Sequence, residues 1–129
     1  MAKNIREKTL KRNKEKDTRP YASAKYIGIS PAKVAVVLNA VRGKKYEEAV
    51  AILSTLPNGA AGVVLKLVNS AASNAEHNKG LNKNDLIVSE IFAGQGPSLK
   101  RQMVRGKGSA NRMLRRTSHI TVILDTVKE

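Results

Sequence analysis

Apolar residues recur at helical spacing in three stretches of the chain and alternate with polar ones in three others. Val34, Val37, Leu38 and Val41 stand at i, i+3, i+4 and i+7, the stripe of a helix with one buried face. Ser30-Pro31 ahead of it offers an N-cap and a proline at the first helical position, and Gly43 a stop. A second helix is predicted from about Tyr46 to Leu56, with Ala49, Val50 and Leu53 inward, ended by Pro57-Asn58-Gly59. A third runs from about Ala60 to Lys79 and closes at Gly80. Its stripe is Ala61, Val64, Leu65, Val68, Ala71, Ala72 and Ala75. The small residues of its second half, Ser70 to Ala75, predict close packing against another helix or a sheet.

Residues 21–29 alternate loosely after Pro20 and suit a short strand. Leu86–Phe92 and His119–Val127 alternate more regularly, the latter with Ile120, Val122 and Leu124 on one face. Between them, residues 93–118 contain few large apolar groups: Leu99, Met103, Val104, Met113 and Leu114. A connection this long is usually functional. Drawn as a hairpin continuing both strands, each arm gains roughly 10–12 residues and projects on the order of 35–40 Å. Gly106 and Gly108 suit its turn. Gly94-Gln95-Gly96-Pro97 lacks the following Lys-Ser/Thr and the helix start of a phosphate loop, and reads as a bend or bulge. The fold class is therefore α+β: three helices packed on a small antiparallel sheet, with a long protruding β-hairpin at about 86–126. One globular domain, 20–129, accounts for all of it.

Charge changes the picture from architecture to partner. The 129 residues carry a net charge of +14, which fits a chain neutralised by a polyanion. The charge is segregated: residues 1–20 are net +5, 58–99 are neutral, and 100–119 hold seven basic residues and no acidic one. The first zone is Lys-rich with only Ile5 and Leu10 as sizeable apolar groups, so 1–19 is expected to be a disordered basic extension. The later zone, Lys100, Arg101, Arg105, Lys107, Arg112, Arg115 and Arg116, is Arg-rich and suits phosphate contacts of defined geometry. Such a ribbon is at best marginal without a holder, and its surface asks for an anionic one.

Other chemistry is sparse. Aromatics are 3 % of the chain, which argues against a base-stacking platform. Cysteine is absent. No stretch has the length and apolarity of a signal peptide or a membrane span, so a soluble cytoplasmic protein without a membrane partner is expected. His77 and His119 fall on different predicted elements without metal-ligand spacing, and Glu47-Glu48 reads as the acidic first turn of a helix. No catalytic constellation, cofactor motif or small-molecule site emerges, so an enzyme is not expected.

Five co-linear stretches then carry a resemblance. They are Ile29-Ser30-Pro31-Ala32-Lys33, Val41-Arg42-Gly43-Lys44, Ser70 to Asn78, Gly96-Pro97-Ser98-Leu99-Lys100-Arg101, and Arg115 to Val122. Over about residues 21–127 the chain resembles the bacterial large-subunit ribosomal protein twenty-two family. The resemblance implies a structural constituent of the large ribosomal subunit that binds large-subunit (23S-type) rRNA and bridges several rRNA domains during assembly. It implies a hairpin tip lining the polypeptide exit tunnel, with neighbouring ribosomal proteins and the nascent polypeptide as further partners. The rRNA-binding candidates are Lys33, Arg42, Lys44, Lys45, Lys100, Arg101, Arg105, Lys107, Arg112, Arg115, Arg116 and His119. The tunnel-lining tip would be Met103, Val104, Arg105, Gly106, Lys107 and Gly108. This tip departs from the family pattern: Val104 replaces a usual Pro, Gly106 a usual Ala and Ser109 a usual Arg. A DNA-compacting protein whose basic arm enters a minor groove is the alternative that composition leaves open.

Overall fold

A computed structural model of the chain describes residues 2–126. Val127, predicted as the end of the last strand, lies outside them. Three helices form where the apolar stripes predict them: α2 (Pro31–Val41), α3 (Tyr46–Thr55) and α4 (Ala61–Lys79). Ser30 occupies the N-cap position of α2 in extended backbone, but its side chain makes no capping bond. Its carbonyl instead accepts from the Lys33 and Val34 N–H groups. Glu47 and Glu48 do sit in the first turn of α3. Gly80 closes α4 at φ 62°, a left-handed cap that glycine takes without a Cβ clash.

These helices cover one face of a three-stranded antiparallel sheet in the order β1 (Tyr21–Ile27), β5 (Ser118–Thr126), β2 (Leu86–Gln95). The core joins Val34, Val37, Leu38 and Val41 of α2 to Leu86, Val88 and Ile91 of β2, and to Ile120, Val122 and Leu124 of β5. The small half of α4 explains its own packing. Ala71, Ala72 and Ala75 are fully buried, and α4 lies against α3 on one side and against β1 and β5 on the other, so both a helix and the sheet pack on it. Asn74 Nδ2 fastens the helix by donating to the Tyr21 carbonyl at 3.0 Å.

Two expectations need correction. On α4 the large residue fully inside the stripe is Leu67, while Leu65 is only half-buried. Both flank the stripe, and the choice belongs to what packs beside the helix. The N-terminal segment, expected to lack regular structure, forms a helix, α1 (Ala2–Lys14). It is rich in good helix formers, and Lys11, Arg12 and Lys14 complement the dipole at its C-terminal end. Residues 4–18 are exposed throughout, so the helix from residue 4 onward adds nothing to the core.

The hairpin continues beyond the sheet as a separate two-stranded ribbon, β3 (Leu99–Val104) with β4 (Ala110–Arg115). Its register runs from Leu99 opposite Arg115 to Val104 opposite Ala110. The root ends with Gln95 opposite Ser118, so residues 96–98 face only 116 and 117. That extra residue is the bulge expected at Gly96-Pro97. The turn uses Gly108 at φ 76° and also Lys107 at φ 59°, whereas Gly106 does not need a positive φ.

Candidate nucleic-acid interface

Pairing decides how the charge of the ribbon is displayed. In an antiparallel ladder, residues directly opposite share a face. One face of the arm therefore carries Leu99, Arg101, Met103, Asn111, Met113 and Arg115. The other carries Lys100, Gln102, Val104, Ala110, Arg112 and Leu114. Arg105 and Lys107 sit at the tip, where the Arg105 N–H donates to the Ser109 carbonyl at 2.8 Å. Both faces and the tip are thus basic, and neither face has a buried side. Along residues 99–115 only Met113 is partly shielded, and Val104 reaches 80 % exposure.

The globular candidates separate into two places. Lys33, in the first turn of α2, lines a cavity with Arg115 and Arg116 from the hairpin base and Gly28, Ile29 and Ser30 from the loop before α2. Body and arm meet there around three cations. Lys44 and Lys45 stand at the other end of α2. Their loop is stitched to the β2 edge: the Gly43 N–H donates to the Val88 carbonyl and the Val88 N–H to the Lys44 carbonyl, each at 2.9 Å. Arg42 is taken up by the same edge. Its Nη2 donates to the Ile91 carbonyl at 2.9 Å and its Nη1 to Asn39 Oδ1 at 3.0 Å. Its guanidinium is thus a staple of the sheet, a role that the sequence did not signal.

His119 is half-buried at the hairpin root. Its Nδ1 accepts the Tyr26 N–H at 2.9 Å, which leaves Nε2 as the ring nitrogen free for another partner. The ring also lies over Gly96: a Cβ there would stand 3.1 Å from its Cε1 and 2.5 Å from Thr117 Oγ1. Gly96 is therefore required by close approach. Thr117 Oγ1 donates to the Pro97 carbonyl at 2.7 Å, and the Gly96 N–H to the Thr117 carbonyl at 2.9 Å, closing the bulge.

Acidic groups are held away from the arm. Arg19 bridges Asp17 at 2.6 Å and Glu90 at 2.8 Å, and Lys83 holds Glu76 at 2.8 Å. The hydrogen bonds from the Arg19 side chain and then its N–H lower the Asp17 carboxyl from 3.8 to about 2. Bonding to Asp17 and then Glu90 raises Arg19 in turn. The Lys83 bond lowers Glu76, and the same bond raises Lys83. Among the described residues, none of the arm's cations takes part in these ion pairs. No group of three or more His, Cys, Asp or Glu side chains among them could hold a metal, and no helix is long and apolar enough to cross a membrane.

Comparison with known proteins follows the same boundaries. The family described as Ribosomal protein L22p/L17e matches residues 22–125. A relative in Desulforamulus reducens, named large ribosomal subunit protein uL22, is 56 % identical over 108 residues, covering 84 % of this chain and 96 % of its own. One in Phaeodactylum tricornutum, named large ribosomal subunit protein uL22c, is 46 % identical over 106 residues, covering 82 % of this chain and 92 % of its own.

Proposed function

The chain belongs to the ribosomal protein L22p/L17e family, and on that premise we propose that it binds large-subunit rRNA by threading its basic arm between RNA segments. It is a structural constituent of the large ribosomal subunit and not an enzyme, with rRNA and ribosomal proteins as partners. Family membership decides against the DNA-compacting alternative.

The observation that carries the finer reading is the display of cations on both faces of β3–β4 and at the tip. A ribbon laid on a surface needs one charged face. A ribbon charged on both is complementary to anionic walls on two sides. Lys100, Arg101, Arg105, Lys107, Arg112, Arg115 and Arg116 then bridge phosphates of RNA segments distant in sequence. The Lys33–Arg115–Arg116 cleft takes a phosphate at the hairpin base, and Lys44 and Lys45 make a second contact at the far end of α2. His119 offers its remaining nitrogen. Met103 to Gly108 project furthest and form the part that lines the exit tunnel, where they meet the nascent polypeptide.

The test is the salt dependence of binding to deproteinised large-subunit rRNA. The arm's seven contacts alone give a slope of log K against log salt of roughly −5 to −6, at −0.7 to −0.9 per contact, and Lys33, Lys44 and Lys45 steepen it. A slope near zero would refute the phosphate-bridging arm. Placement of the tip is tested separately, by crosslinking from position 104 to a stalled nascent chain in reconstituted ribosomes.

A further inference from the structure

Scarcity of aromatics excludes a stacking platform, but one ring sits where a single base could use it. Tyr26 lies in the β1 bulge, where the register with β5 shifts between Ala24 and Ile27, and its φ is 58°. A bulky aromatic residue in left-handed backbone is a genuine outlier, costing on the order of a strained functional residue. The strain turns the ring outward: Tyr26 is 69 % exposed. It also fixes the ring, because the Tyr26 N–H holds His119 Nδ1 at 2.9 Å and the two rings meet edge-on with centroids 4.8 Å apart.

Both strands lead from this pair into the basic cleft. Gly28 lies two residues beyond Tyr26, at most about 7 Å along the chain, and Arg116 three residues before His119. An exposed ring braced on one edge by His119 thus stands two residues from the wall of a cavity lined by three cations, the complement of a nucleotide: phosphate in the cleft, base on the ring. We propose that Tyr26 stacks on an unpaired base of the same RNA whose phosphate occupies the Lys33–Arg115–Arg116 cleft. The proposal rests on the rRNA-binding reading above and adds one base contact to it. A neighbouring ribosomal protein is the competing occupant of the ring. The cavity whose wall begins two residues away at Gly28 is lined by three cations that take part in none of the ion pairs among the described residues, which favours the RNA.

The experiment measures the affinity of the full chain for deproteinised large-subunit rRNA, with melting temperature as the control of fold. Tyr26→Gly removes the ring and accepts φ 58° without strain, so affinity should fall about 5- to 100-fold, the range of one lost base stack, while the protein stays folded. Tyr26→Phe keeps the π-face and should bind within about two-fold of the parent. Ultraviolet crosslinking of the unaltered protein should yield a base adduct at Tyr26, and its absence overturns the proposal even if Tyr26→Gly proves unstable. Unchanged affinity in Tyr26→Gly, with loss in a Lys33→Ala/Arg115→Ala variant, overturns stacking and leaves the rRNA reading standing. If that double variant also binds undiminished, the cleft reading fails with it. Undiminished RNA binding by Tyr26→Gly with loss of its incorporation into large subunits would place a protein on the ring and overturn the proposal.

Discussion

The backbone N–H of Tyr26 donates to Nδ1 of His119 across the β1–β5 pair, so a side chain occupies a place where the ladder has slipped. The bulge leaves a donor without its strand partner, and the imidazole supplies the acceptor. His119→Ala removes acceptor and ring together and should cost about 1–2 kcal/mol in urea unfolding, with the denaturant slope unchanged. A loss below about 0.5 kcal/mol would mean that water replaces the imidazole.

Gly96→Ala places a methyl group 2.5 Å from Thr117 Oγ1 and 3.1 Å from the His119 ring. Neither neighbour is a free chain end, since both are hydrogen-bonded at the hairpin root. The expected cost is about 1–3 kcal/mol. Adding Thr117→Ala removes the nearer clash, so the double variant should lose less than the sum of the singles, by about 0.5 kcal/mol or more. Strict additivity would show that the bulge simply opens.

Ser118 opens β5 fully buried, and its hydroxyl has no hydrogen-bond partner among the described residues. Ser118→Ala removes the unsatisfied oxygen and keeps the volume nearly unchanged. Stability should rise by about 1 kcal/mol in thermal or urea melts. A fall would reveal a partner for the hydroxyl in solution.

Arg19 reaches β2 through Ser89 and Glu90, and the Asp17 carboxylate that clamps its side chain from the other side depends on pH. The Asp17 carboxyl is lowered from 3.8 to about 2. A lowered carboxyl stabilises the folded form above its unfolded value, and that contribution disappears as pH falls through the folded value. The Asp17–Arg19 clamp should hold at pH 5 and open between about pH 4 and 2. Amide exchange at Arg19, whose N–H donates to Asp17 Oδ1, reports the release. An Asp17→Asn chain should show no such step.

Much of the fold is legible because burial leaves a period in the chain. The α2 stripe and the alternation of Ile120, Val122 and Leu124 are each written by one packed face, and the hairpin declares itself by the lack of such a face. What is not legible depends on partners far along the chain. Nothing local distinguishes Arg42 from a free phosphate ligand, because its acceptor is the carbonyl of Ile91. Nothing local marks Tyr26 either, since its backbone is set by a slip against β5. Gly96 was readable as a bulge but not as the floor beneath His119. The α1 helix is not legible because a lysine-rich segment exposed from residue 4 onward carries no apolar period, while its propensity for helix remains.

The two-sided charge of the arm acts before any RNA is met. The arm holds seven cations and no acidic residue, and Asp17, Glu76 and Glu90 are already paired with Arg19 and Lys83, which makes them poor partners for a ribbon folding back. Repulsion among its own cations opposes collapse of the arm, which lowers the cost of docking it. The same field draws the most projecting cations toward a polyanion first. In the rRNA-binding proposal this sets an order of arrival: tip, then shaft, with the body seating last, as a key enters a lock bit-first.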